Sequence, residues 1–281
     1  MSTILVILTN YSRPQNMPRV IQAWREQTVK CKIVVADNSS ATSDTPYTVN
    51  GDSDGIRFVM PYPRRELYGT DVDDVWRWTE NSGCPCWLGP AAMLSHKYDY
   101  IIRADDDFLP GKRAVEHLLR TASICNYDFS TIGQIGRIFD ERGYNRGNVP
   151  QRRLDEYEMR RYELRRHQMI QVDLTCRVSM MKAENVLYVL DFRQRLVNTG
   201  EPDAARLVDI HDDFLACMGI QLVMEYPSYI ISTTDDPETQ LVKTEIPNGE
   251  ESVYKRPGHY AERNRMVELS RMVGWRSVTR P

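Results

Sequence analysis

The sequence predicts a single α/β domain with a mostly parallel central sheet and helices on both faces. Through the first 135 residues, short apolar runs alternate with stretches of helical periodicity. The runs are continuously apolar, the pattern of strands buried on both faces of a parallel sheet. Three of them end in polar clusters, "NYSR", "DNSS" and "DDD", and open parallel sheets bind ligands at the carboxyl ends of their strands.

Taken in order, "ILVILT" (4–9) is the first strand. "NMPRVIQAWREQ" (16–27) sets apolar residues 17, 20, 21 and 24 on one helix face, with Asn16 placed to cap it and Pro18 tolerated in the first turn. "KIVVAD" (32–37) is the second strand and "IRFVMP" (56–61) the third. "AAMLSHKY" (91–98) predicts a helix, "YDYIIRA" (98–104) a fourth strand, "KRAVEHLLRTASI" (112–124) a helix, and "DFSTIGQIGRIF" (128–139) a fifth strand.

The second half is less regular. Residues 149–168 read as a charge-rich helix in which Arg152, Arg153, Arg160, Arg161, Arg165 and Arg166 face Asp155, Glu156, Glu158 and Glu163. Such spacing makes a salt-bridged, solvated face, with an Arg stripe against a polyanion as the alternative. Residues 170–183 predict a strand pair or a bent strand, 183–192 a helix, and 200–220 an acidic cluster leading into an apolar helix. Strands are expected within 222–234, a turn-rich segment with the character of a lid at 237–258, and a terminal helix at 261–275. That helix either docks on the domain or touches a membrane surface through Met266, Leu269, Met272, Val273 and Trp275, set among Arg263, Arg265, Arg271 and Arg276. No internal repeat or linker divides the chain.

Composition excludes several classes. The 281 residues carry a net charge of −3, with 41% hydrophobic and 27% charged residues, ordinary for a globular protein and no general argument for a polyanionic partner. The apolar run at 4–9 is too short and lacks a basic lead, so no secretory leader is expected, and no stretch approaches a membrane span. A cytoplasmic location follows as the expectation. The six cysteines include "CPC" at 84–86, which lacks the spacer of a zinc or redox motif, so reduced thiols are expected.

"YDYIIRADDDFLPGK" (98–112) raises the sharpest chemical question, since three adjacent carboxylates repel unless something positive lies between them. In an extended segment residues i and i+2 point the same way, which sets Asp105 and Asp107 together and Asp106 apart. Paired carboxylates share a proton or bind a hard cation, and Mg²⁺ keeps one or two protein carboxylates while taking water and phosphate as its other ligands. A polar strand end before a Pro-Gly turn is the plain alternative.

The order "ILTNYSRPQNMPRVIQAW…KIVVADNSS…YDYIIRADDDFLPGKRAVEHLL" resembles the nucleotide-sugar-binding half of GT-A fold glycosyltransferases, a Rossmann-like architecture, and within it the large inverting family. The likeness covers residues 3–124 well and 170–220 more loosely. It implies a glycosyltransferase, hexosyl or pentosyl, with a donor half at 1–135, an acceptor and catalytic half at 136–250 and a docking segment at 251–281. The family's Asp-x-Asp metal motif falls on Asp105 and Asp107, implying Mn²⁺ or Mg²⁺. Asn10, Arg13 and Arg103 would contact the donor nucleotide, UDP by preference, with Asp37 accepting from the base and Asp106 facing the ribose or sugar. The second acidic motif falls on Asp212 and Asp213, with Asp213 the general base. His259 would be a third metal ligand, His211 its runner-up, while His96, His117 and His167 read as structural or exposed. Inversion at the anomeric carbon follows if Asp213 is the base.

The stretch 62–90 departs from the family pattern. Its Arg64, Arg65 and Arg77 are candidates for phosphate contacts, and Trp76, Trp78 and Trp87 either stack on a ligand or pack the core, with packing expected for at least two. The implied acceptor is a glycan or lipid-linked glycoconjugate. A phage-type enzyme acting on hydroxymethylated pyrimidine bases of DNA, a nucleic acid acceptor, is the alternative, and would have to flip its base out of the duplex. A sugar nucleotidyltransferase would need a Gly-rich basic loop after the first strand, and "TNYSRPQNMP" has no Gly. A non-catalytic sugar-nucleotide-binding protein would keep Asp37 and lose the metal pair.

Overall fold

A computed structural model describes residues 2–11, 13–38, 72–78, 82–139, 169–231, 236–246 and 257–277. Its strands are β1 Ile4–Asn10, β2 Lys32–Asp37, β3 Asp74–Arg77, β4 Tyr100–Asp105, β5 Phe108–Leu109, β6 Ile132–Arg137, β7 Met169–Val172, β8 Leu174–Lys182, β9 Ser228–Ile231 and β10 Thr244–Glu245. The helices are α1 Met17–Arg25, α2 Leu88–Leu94, α3 Ala114–Ile124, α4 Val186–Val197, α5 Ala204–Val208, α6 Asp212–Met224 and α7 His259–Met272.

Eight strands form one sheet in the order β3-β2-β1-β4-β8-β6-β9-β7. The block β3-β2-β1-β4 is parallel, β6 and β9 are parallel to each other, and β8 and β7 run against their neighbours. The expected mostly parallel sheet is therefore present, and both halves of the chain share it through the β4–β8 pairing.

Strand alternation divides the core in two. Ile4, Val6 and Leu8 of β1 pack on one face with Val20, Ile21 and Trp24 of α1 and Val115 and Leu118 of α3. Leu5 and Ile7 point to the other face, against Leu88, Val189, Phe214 and Leu269 from α2, α4, α6 and α7. Each such side chain contributes about 1.5–3 kcal/mol by leaving water, so the strand order is fixed from both sides.

Element positions depart from expectation in a few places. Asn16 precedes α1, but a 3-10 turn (Pro14–Asn16) takes up the helix entry and the Asn16 side chain makes no capping bond. The helix expected at 91–98 begins earlier, at Leu88, and tightens into a 3-10 turn at Ser95–Lys97. Strand expected from 222 begins at Ser228, because α6 continues to Met224 and ends with Glu225 in the left-handed region. The terminal helix spans 259–272, and Met266, Leu269 and Trp275 are buried, so it docks on the domain. The expected strand at 56–61 and helix at 149–168 lie outside the described residues. The third strand of the described sheet is instead Asp74–Arg77, within the 62–90 stretch. There, Trp87 is fully buried and Trp76 and Trp78 pack against the core.

The segment expected to act as a lid splits. Residues 236–246 lie along the turn after β4, where β10 pairs antiparallel with β5. Backbone N–H groups of Lys243 and Ile246 donate to the carbonyls of Leu109 and Asp107, and that of Gly111 to Gln240. These bonds make it a fixed strap. Residues 247–256 lie outside the described residues. The cysteines are all free, as expected. Among the described residues, no helix is long and apolar enough to cross a membrane.

Gly83 ties the ends of β2 and α5 together. Its φ of 78° and ψ of −174° fall in a region open to glycine, its carbonyl accepts from Asn38 Nδ2 at 2.8 Å, and an added Cβ would lie 2.2 Å from the Asp209 carbonyl oxygen. Gly83→Ala should cost about 2 kcal/mol or more, read as a lower urea midpoint; an unchanged midpoint would contradict this account of the loop.

A candidate active site of arginine-bridged carboxylates

The parallel block delivers its polar residues to one edge. Asn10 and Asp37 end β1 and β2 as register partners, and Asn10 Nδ2 donates to Asp37 Oδ1 at 3.1 Å. Arg77, ending β3, lies 4.0 Å from Asp37. Thr9 is paired with Asp105 across the β1–β4 ladder, and its hydroxyl donates to that carboxylate at 3.3 Å. The expected gathering of Asn10, Asp37 and Asp105 at one edge is thus what the register produces.

The triple aspartate is not arranged as strand periodicity suggests. The strand ends at Asp105, so Asp106 and Asp107 turn away from its alternation. They share Arg13, whose guanidinium lies 2.6 Å from Asp106 Oδ1 and 3.2 Å from Asp107 Oδ2. Asp106 also accepts from the Tyr11 N–H. Burial, with Asp107 beside it and only partly offset by Arg13, pushes the Asp106 carboxyl up to about 7.

Arg103 forms the second bridge. Two residues before Asp105 and buried, it reaches Asp105 Oδ1 at 3.0 Å and holds Asp212 at both oxygens, 2.7 and 3.2 Å away. Its remaining Nη1 donates to the Arg177 carbonyl at 3.0 Å. Trp87 Nε1 donates to Asp212 Oδ2 at 2.8 Å. Burial pushes Asp212 up to about 7 against the pull of Arg103. Burial also opposes charge on Arg103, but Asp105, Asp212 and Asp213 outweigh it and hold its proton more tightly. Both groups thus move up for different reasons, Asp212 because it is buried and Arg103 because several carboxylates surround it.

Asp213, next in α6, belongs to a third pair. Arg263 of α7 reaches Asp213 Oδ2 at 2.5 Å and Oδ1 at 3.4 Å. Burial raises the Asp213 carboxyl, but Arg263 overcomes it and leaves it below the ordinary range. Both acids sit in the first turn of α6, where the helix dipole favours negative charge.

His259 begins α7, four residues before Arg263. The structure places it beside His211, with ring centroids 5.5 Å apart, in the Asp213–Arg263 cluster. Among the described residues, no three His, Cys, Asp or Glu side chains form a group able to hold a metal ion. Asp105 and Asp107 are held by different arginines, so the expected trio of Asp105, Asp107 and His259 is not gathered. The positive side chains beside the aspartates are Arg13, on Asp106 and Asp107, and Arg103, on Asp105. Both arginines, expected to meet the donor, here hold carboxylates.

Sequence reasoning missed Arg263 and Arg177. Arg263 lies one helical turn beyond His259, a spacing that could have shown it. Arg177 carries no such signal.

By sequence, the chain matches no protein family and no curated protein. Among solved structures it is similar to S. aureus TarS, at 14% identity and a TM-score of 0.43, over 83% of this chain and 35% of that one. It is also similar to TarS 1–349 in complex with UDP, at 13% identity and a TM-score of 0.44, over 83% of this chain and 58% of that one. The chain therefore spans less than two thirds of each. Overlap this loose carries no argument about chemistry, which rests on the residues described above.

Burial pushes His211 down to about 3 and His259 down to about 4, with Arg263 adding to both. A depressed imidazole contributes stability that is complete above 6.5, its unfolded value, and lost as pH falls from there toward the folded value. Below 6.5 each such group costs up to about 1.4 kcal/mol per pH unit. Denaturation of metal-free protein at pH 7.5 and 5.5 should show this loss, and His211→Phe should lose less. Equal losses in the two proteins would refute the placement of a neutral His211 in this cluster.

Proposed function

We propose that the chain is a glycosyltransferase that moves a sugar from a nucleoside diphosphate, UDP by preference, to an acceptor hydroxyl of a glycan or glycoconjugate. The observation that carries the reading is the joining of two acidic groups by one buried guanidinium. The Asp105 end of the parallel block and the Asp212–Asp213 start of α6 meet through Arg103. Sugar transfer can use two such places, one to hold a cation that meets the diphosphate and one to take a proton from the attacking hydroxyl.

Asn10 and Asp37, hydrogen-bonded at the end of adjacent strands, would face the base, with Asp37 as acceptor. Asp105 and Asp107, which now lie on different arginines, would have to leave those partners to hold Mn²⁺ or Mg²⁺ together. Their hard carboxylate oxygens suit either ion, and the Asp105 side chain is 27% exposed, open to a ligand from solvent. A bound cation supplies neutralisation of the charge that grows on the leaving diphosphate. Arg13, now on Asp106 and Asp107, supplies a cation beside the same group.

Asp213 would accept the acceptor's proton. Arg263 keeps it ionised at neutral pH, which a base must be before it acts, while Asp212 anchors Arg103 and is anchored by Trp87. A single displacement assisted by one carboxylate inverts the anomeric carbon.

Calorimetric titration with UDP, GDP, CDP and dTDP, with and without Mn²⁺, should show one nucleotide bound tightly with metal and at least tenfold more weakly by Asp107→Asn. With an acceptor in hand, Asp213→Asn should lower kcat about 10²–10⁴-fold with donor affinity kept. No nucleotide bound by the folded protein under any condition would overturn the proposal.

A further inference from the structure

Arg177 occupies a conformation its residue type disfavours. Its φ is 69°, in the left-handed region, within strand β8. The cause lies in the ladders on either side. Against β6, pairing passes from Gly133↔Ser179 to Ile135↔Cys176, so β8 spends three residues where β6 spends two. Against β4, pairing stops at Arg103↔Ser179, two residues short of Arg177 and of Asp105 on their strands. The result is a β-bulge at the carboxyl edge of the parallel block, and bulges recur beside active sites because they re-aim a side chain.

A left-handed non-glycine residue costs on the order of 1–3 kcal/mol, and glycine would adopt this backbone without that cost. The carbonyl directed at Arg103 requires the backbone alone, so it does not account for an arginine. The side chain does something glycine cannot. Its guanidinium lies over the Phe108 ring, 4.8 Å from the centroid, next in sequence to Asp107. Among the described residues its ion-pair partner is the exposed Glu245 on the strap, at 3.6 Å, and the Arg177 side chain is 23% exposed. An aromatic face orients a guanidinium while leaving its in-plane N–H donors available for an oxyanion.

We infer that Arg177 is an anion-binding residue of the carboxylate site, taking a phosphoryl group of the nucleoside diphosphate, with Glu245 as the carboxylate that group displaces. The inference rests on the proposed function and goes beyond it by assigning a residue, a strained backbone and a competing side chain. Glu245 sits on the exposed two-residue strand β10, so its removal leaves the sheet and both cores intact.

The test is calorimetric binding of UDP and of inorganic pyrophosphate, with Mn²⁺, to the full chain and to Arg177→Gly, Arg177→Lys and Glu245→Gln. Arg177→Gly should bind both probes at least tenfold more weakly, with a Tm equal to or above the parent's, since glycine relieves the backbone. Arg177→Lys should recover part of the affinity, and Glu245→Gln should bind two- to fivefold more tightly. If the parent binds UDP and Arg177→Gly binds it equally well, the inference fails and the proposed function stands. A parent that binds neither probe would sink both. A weaker Arg177→Gly with a lowered Tm and no gain in Glu245→Gln would assign Arg177 a structural role and overturn the inference.

Discussion

Among the described residues, Arg13, Arg103 and Arg263 interleave Asp105, Asp106, Asp107, Asp212 and Asp213, and the arrangement depends on Arg103. It touches both acidic clusters, Asp105 at the end of β4 and Asp212 at the start of α6. Placing it there is costly, because a charge removed from water loses several kcal/mol of hydration. Two carboxylates and the Arg177 carbonyl offset that cost, and the α6 N-terminus favours the Asp212 carboxylate that pairs with Arg103. Removing one partner from such a buried set typically costs 3–5 kcal/mol, so the bridge fixes where α6 begins relative to β4. The same contact that orders the fold spaces the two acidic groups.

Arg13 and Arg263 extend this logic outward. Arg13 answers to the turn that follows β4, and Arg263 fastens α7 to the first turn of α6. Burial raises Asp106 and Asp212, whereas Arg263 keeps Asp213 low. Neighbouring carboxylates in one site are thus pushed in opposite directions, the condition under which acids divide roles. The strap at 236–246 closes the turn from the other side through the Asp107 carbonyl.

Much of this was legible in the chain. The runs at 4–9 and 32–37 gave their strands because four or more consecutive buried residues leave little alternative, and the helices at 17–25 and 114–124 followed from the 3.6 period. Three polar strand ends marked the edge correctly. The four-residue β3 was not legible, because Asp74–Arg77 is too short for a periodic signal. The pairing within the triple aspartate was misjudged because a period-2 argument was carried past the last strand residue. That Arg13 joins Asp106 to Asp107 and that Arg103 reaches Asp212 depends on contacts ninety or more positions apart, which no local pattern encodes. The left-handed backbone at Arg177 was invisible for a related reason: no glycine marks it, and the ladders on both sides impose it.

A double-mutant cycle on Asp105 and Asp212 tests the bridge most directly. Equilibrium unfolding would be measured for Asp105→Asn, Asp212→Asn and the pair. Each single variant leaves Arg103 one charged partner, whereas the double variant leaves its charge buried without either. The account predicts that the double variant loses more than the sum of the singles by about 1 kcal/mol or more. Additivity within about 0.5 kcal/mol would mean that the two acidic clusters are independent and that Arg103 does not join them.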